Sequence, residues 1–125
     1  MPFDPGRSAR VSLVVGDQDS AVAWRSGSVD VLATPRLIAL CEEACCGAVA
    51  GQLADGSTSV GVRVQFNHLA PVRIGSTVEA EATLEKVEGR RLTFTVSATD
   101  AVGLVGAGRM TRVLVDLDAF EAKAR

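Results

Sequence analysis

The chain has 125 residues, 47% hydrophobic and 22% charged, which is enough for one domain around one core and too short for a second. Its net charge of −2, one Trp and four Phe offer neither a basic field nor stacking platforms, so nucleic acid is excluded as a partner. No stretch stays apolar long enough to span a bilayer and residues 1–7 lack the apolar core of a signal peptide, so a cytoplasmic location with no membrane partner is expected.

Arg10 to Val15 alternates weakly and reads as a first strand. Residues 16–32 are polar and Gly/Ser-containing, with Trp24 as the one large anchor, and are expected to form a loop or lid. Thr34 as N-cap and Pro35 in the first turn then start a helix that is predicted to run to about Leu53, before Asp55-Gly56 turns the chain. Next comes a strand in which Val60, Val62, Val64 and Phe66 are set against Gly61, Arg63, Gln65 and Asn67, with His68 continuing the apolar series. Val78, Ala80, Ala82 and Leu84 share one face of the following strand, and Leu92, Phe94, Val96 and Ala98 repeat the pattern after a turn at Gly89. A last strand over Leu104 to Val115 is loosened by Gly106 and Gly108, and residues 116–125 form a terminal helical turn or a loose tail. One long helix and consecutive strands that are each apolar on one face make an α+β layer, an antiparallel meander curled round one long central helix, over a single domain spanning 1–125.

Chemistry can sit at few places. On the helix, Leu37, Ile38, Cys41, Cys45, Ala48, Val49 and Leu53 share an arc, and Glu42 falls inside it while Glu43 points away. A carboxylate there must be paired, protonated or functional, or else sit at an edge and reach water. His68, where its strand meets a loop, is placed to reach a carboxylate or a substrate sulfur, or to be a satisfied structural histidine. Thr34 lies beside free N–H groups at a helix N-terminus, a setting that stabilises a developing oxyanion as well as one that needs a plain cap. Gly61 falls opposite the buried face by simple alternation, where its vacancy or N–H admits a close approach, and Arg112, in line with Met110 and Leu114, wants a carboxylate or phosphate partner. Cys41, Cys45 and Cys46 are expected to be reduced, the first two as core packing. With a single histidine and no second cysteine pair, no metal site is expected.

The set Ala33-Thr34-Pro35, Glu42, Gly61, His68 and Arg112 resembles the fluoroacetyl-CoA thioesterase group of hotdog enzymes, in which a threonine, a glutamate eight residues on, a glycine, a histidine seven after it and a later arginine form the active-site set. Val87-Glu88-Gly89-Arg90-Arg91-Leu92 and Val96-Ser97-Ala98 extend the similarity, which covers about residues 33 to 123. The resemblance implies the hotdog fold, a homodimer or dimer of dimers joined sheet edge to sheet edge, and an acyl-CoA substrate with no cofactor beyond the substrate's own CoA. It implies Glu42 as nucleophile or general base, His68 as proton carrier, Thr34 as hydrogen-bonding partner of the reacting groups, Gly61 N–H as binder of the thioester oxygen, and Arg112 as anchor for the carboxylate or acyl end. The lid departs from that group, which carries a longer segment with a phenylalanine pair where this chain has Trp24-Arg25-Ser26-Gly27-Ser28-Val29. A small to medium acyl-CoA is therefore expected rather than fluoroacetyl-CoA in particular. The rival readings are a non-enzymatic acyl-CoA or ligand-binding module and a hotdog dehydratase.

Overall fold

Regular alternation of apolar residues with Glu, Thr and Ser builds two interior strands of the sheet as the sequence predicts. A computed structural model describes residues 4–125, so the part of the N-terminal reading that concerns Met1 to Phe3 lies outside the described residues. The elements are β1 (Ser8–Val14), α1 (Thr34–Ala48), β2 (Ser57–His68), β3 (Thr77–Glu88), β4 (Arg91–Thr99), β5 (Leu104–Asp116) and a short α2 (Leu117–Glu121). All five strands form one antiparallel sheet in the order β1-β3-β4-β5-β2, wrapped around α1.

The inner faces of β3 (Val78, Ala80, Ala82, Leu84) and β4 (Leu92, Phe94, Val96, Ala98) are wholly buried, as alternation predicts. They pack on Leu37, Leu40, Cys41, Ala44, Cys45 and Ala48 of α1, which is buried over a wider arc than one amphipathic stripe because the sheet curls round it. Full burial of each large apolar side chain contributes about 1.5–3 kcal/mol. Small residues set the spacing: a Cβ on Gly47 would stand 3.0 Å from the Cβ of Ala9 on β1.

Five expectations need correction. The strands are not a simple meander, because β2 lies at the far edge beside β5 rather than next to β3. Residues 69–76 carry the chain across the sheet end, with Leu69 and Ala70 N–H donating to Val105 O, and Val72 O accepting from Leu32 N–H. Helix α1 stops at Ala48, where Val49 leaves helical geometry and Gly51 adopts φ +77°. The N-cap is Ala33, and Thr34 is the first helical residue. Further, β2 has no continuous buried face: Val62 and Val64 are 53% and 44% exposed on an edge strand that pairs on one side only.

A bulge decides which way β2 points its side chains. Gly61 pairs with Arg112 and Arg63 pairs with Thr111, so Val62 is an extra residue between them. Gly61 and Ser59 therefore face α1 on one side of the bulge, while Val64, Phe66 and His68 do so on the other. The expectation that Gly61 lies opposite the buried face is thereby overturned, since strict alternation cannot register an inserted residue.

Candidate active site

The predicted residues gather into two clusters within one chain. At the N-terminus of α1, Thr34 Oγ1 lies 2.7 Å from Nδ1 of His68, which ends the inward-facing series of β2. Thr34 is free to make this contact because its side chain does not cap the helix. The other ring nitrogen, Nε2, is buried and has no hydrogen-bond partner among the described residues. The imidazole is thus held at one nitrogen, while the other is buried and unpartnered, the arrangement in which a polar group seated against it would be its hydrogen-bond partner. A cavity of about 350 Å³ opens beside the pair and is lined by Ser26 to Val29 of the segment between β1 and α1 together with Leu32 and Leu69. Trp24 does not line it; its indole N–H donates to Gln18 O and its ring is 42% exposed.

Two turns further along α1, Glu42 Oε2 accepts from Nη1 of Arg112 at 3.1 Å. Arg112 is held on both remaining sides by Ser59: Nε donates to Ser59 Oγ at 3.0 Å and Nη2 to Ser59 O at 2.9 Å. The guanidinium is nearly buried while the Glu42 carboxylate stays 38% exposed, so the arginine fixes the carboxylate without removing it from the groove it shares with Val11, Ala39 and Cys46. Gly61 completes this cluster. A Cβ there would meet Glu42 Oε2 at 2.8 Å and Arg112 Nη1 at 3.4 Å, so the glycine's vacancy is filled by the carboxylate. We expect Gly61→Ala to push Glu42 aside and to lower kcat on the order of tenfold to a hundredfold while thermal stability stays close to wild type. Steady-state kinetics beside a thermal melt checks this, and an unchanged kcat would mean that Glu42 tolerates displacement.

Glu42 and Thr34 are eight residues apart on one helix, about 12 Å along its axis. The structure thus joins Thr34 to His68 and joins Glu42 to Gly61 and Arg112, but it does not join the two clusters within one chain. Sequence reasoning missed Ser59, which becomes legible only once the bulge puts it on the inner face. It also missed Asp19 and Arg36, an ion pair at 2.9 Å between the β1–α1 segment and the first turn of α1. Asp19 is buried in an irregular segment, where no periodicity marks a residue as internal.

The cysteines behave as core. Burial pushes the Cys41 and Cys45 thiols up to about 12, with the Glu42 charge adding to the effect, whereas Cys46 is exposed. A thiol raised in the folded state stabilises the fold fully below its ordinary value of 9.0, and that contribution is lost as pH rises toward about 12. At pH 8 we therefore expect a thiol reagent to modify Cys46 alone in the native protein and all three cysteines after unfolding. Peptide mapping of the labelled sites checks it; native labelling of Cys41 or Cys45 would show that α1 opens. Among the described residues no helix is long and apolar enough to cross a membrane, and no group of three or more His, Cys, Asp or Glu side chains is placed to hold a metal ion.

Comparison with known proteins gives a consistent result. A family model described as fluoroacetyl-CoA-specific thioesterase matches residues 15–118. The fluoroacetyl-CoA thioesterase of Streptantibioticus cattleyicolor is 41% identical over 96 residues, which is 77% of this chain and 69% of that protein. A solved structure of a fluoroacetyl-CoA thioesterase superposes with a TM-score of 0.92 at 32% identity, covering 97% of this chain and 94% of that one. A hot-dog-like protein from Thermanaerovibrio acidaminovorans superposes with 0.89 at 29% identity, over 98% and 90% of the respective chains. The five-stranded antiparallel sheet around one main helix is the hotdog fold that the sequence predicts.

Proposed function

The chain belongs to the fluoroacetyl-CoA-specific thioesterase family, and from that premise we propose that it hydrolyses a small to medium acyl-CoA, at a site shared between two copies of the chain. The observation that carries the shared site is the division of the predicted residues into two clusters, whose α1 residues Thr34 and Glu42 are about 12 Å apart along the helix axis, with the buried His68 Nε2 left unpartnered. The exposed edge of β2 supports the arrangement. Val62 and Val64 lie on a strand whose outer N–H and C=O groups have no ladder partner among the described residues, an edge that isolated proteins normally cover or charge. Pairing two β2 strands antiparallel about a two-fold axis near Val64 carries His68 of one copy to the level of Gly61 and Glu42 in the other.

In such a dimer the thioester carbonyl lies between the partner's Glu42 and the Thr34–His68 pair. Either Glu42 attacks the carbonyl carbon, forming a C–O bond as the C–S bond breaks, and water then cleaves the resulting acyl-glutamate anhydride to free acid and regenerated carboxylate, or Glu42 takes a proton from the water that attacks the carbonyl as the C–S bond breaks. His68 delivers a proton to the departing CoA sulfur through Nε2, while Thr34 holds Nδ1 and fixes the ring. Gly61 N–H is the donor for the developing oxyanion, and Arg112, held by Ser59, keeps Glu42 aimed. The reaction consumes only water and thioester, CoA being part of the substrate. The lid residues beside the cavity are small, Ser26, Gly27 and Ser28 among them, which suits an acyl group larger than a two-carbon unit as well as a short one.

The test is release of free CoA, read with a thiol reagent, across acyl-CoAs of increasing chain length. Turnover that peaks among short and medium chains is expected. Tight CoA-ester binding without turnover would establish a ligand-binding module instead.

A further inference from the structure

Segment 16–33 contains only a single 3₁₀ turn and isolated bridges, yet its base is pinned at one residue. Asp19 is 4% exposed. Its Oδ2 accepts from Gly16 N–H at 2.8 Å, its Oδ1 accepts from Arg36 Nε at 2.9 Å, and its carbonyl accepts from Ala33 N–H at 2.9 Å. One residue thereby ties the entry of the lid, its exit and the first turn of α1. Thr34 sits between two of the tied residues, Ala33 and Arg36, and reaches across to His68 on a different element. A 2.7 Å contact between side chains of two elements survives only if both backbones are held to within a few tenths of an ångström.

A buried ion pair is a weak stabiliser, because desolvation of both charges offsets most of their attraction; what it adds is direction. The Asp19 and Arg36 side chains are 6% and 19% exposed, so the pair is shielded and geometrically defined. We propose that Asp19 and Arg36 are a positioning pair that sets the Thr34–His68 contact, and hence the orientation of the imidazole, without touching substrate. The inference rests on the reading of Thr34 and His68 given above.

The experiment compares Asp19→Asn, Arg36→Gln and the double variant with wild type. Asn offers a single acceptor oxygen where two donors converge, and Arg36→Gln leaves the buried carboxylate with a neutral amide donor in place of its cation, so each single variant weakens the tie. In the double variant two neutral amides can pair again while the carboxamide oxygen introduced by Asp19→Asn still accepts from Gly16 N–H. Each single variant is expected to lose about tenfold in kcat with KM changed less than about threefold, and the double variant is expected to recover most of kcat. His68 is the only histidine, so its ring ¹⁵N resonances in untagged protein report the Thr34 contact directly, and they are expected to move in the single variants and return in the double. Single variants that melt earlier but keep wild-type kcat and ring signals would overturn the proposal, as would a double variant no better than its parents. If the single variants do not fold, Arg36→Lys, which keeps the charge at the less buried partner, provides the same comparison: a lowered kcat with a shifted ring signal supports the pair, and either readout unmoved overturns it. Failure of wild type to hydrolyse any acyl-CoA would sink the enzyme reading alone, because the ring signals test the positioning without turnover.

Discussion

Glu42→Gln is expected to lower CoA release by about 10²- to 10⁴-fold, the range over which a positioned acid–base group or nucleophile acts. Gln keeps the size of the side chain and can still accept from Arg112 Nη1, so the groove keeps its shape while the carboxylate's negative charge and basicity are lost. The fold should survive, because Arg112 retains both of its bonds to Ser59. With Arg112 10% and Glu42 38% exposed, loss of the pair's charge while its hydrogen bond is kept costs about 1–3 kcal/mol, roughly 4–12 °C in the melting midpoint of a domain this size. The diagnostic pattern is therefore a large fall in kcat beside a modest fall in stability. A variant that melts earlier but turns over like wild type would mean that Glu42 serves only as the counter-ion of Arg112.

Mixing two inactive variants is expected to restore activity. In the proposed dimer, Glu42→Gln and His68→Ala each disable every site of their own homodimer, but a mixed dimer would place both lesions in one site and leave the other intact. Random reassortment makes half of the dimers mixed, so the mixture should reach about a quarter of wild-type activity. The prediction follows from the separation of about 12 Å along α1 and from the contact of His68 with Thr34 of its own chain. Co-refolding the two variants and measuring CoA release decides it; a mixture that stays at background would require each site to lie within one copy. Val64→Lys puts a charge on the β2 edge, and sedimentation should then show a monomer without activity.

The legible parts of the chain were those governed by neighbours in sequence. Thr34-Pro35 marked the start of the helix because the first turn needs no N–H from proline, and the inner faces of β3 and β4 followed from alternation alone. The arc carrying Glu42 was also visible, although the extra burial of Leu40 and Ala44 was not, since one helix drawn by itself does not show how far a sheet will curl around it.

Long-range geometry decided the rest. Ion pairing of Glu42 with Arg112, 70 residues away, and of Asp19 with Arg36, 17 away, depends on which strand and which loop pack against α1. The place of β2 at the sheet edge depends on where residues 69–76 find their hydrogen bonds. The bulge at Val62 reverses the parity of β2, so that Gly61 and His68 face the same side although seven residues separate them. Sequence by itself determined the helix, the strands and the residue types available for chemistry, because backbone periodicity and turn preference act over a few residues. Only the tertiary structure decided which of those residues meet, because strand order, register and burial are set by packing the whole chain around one core.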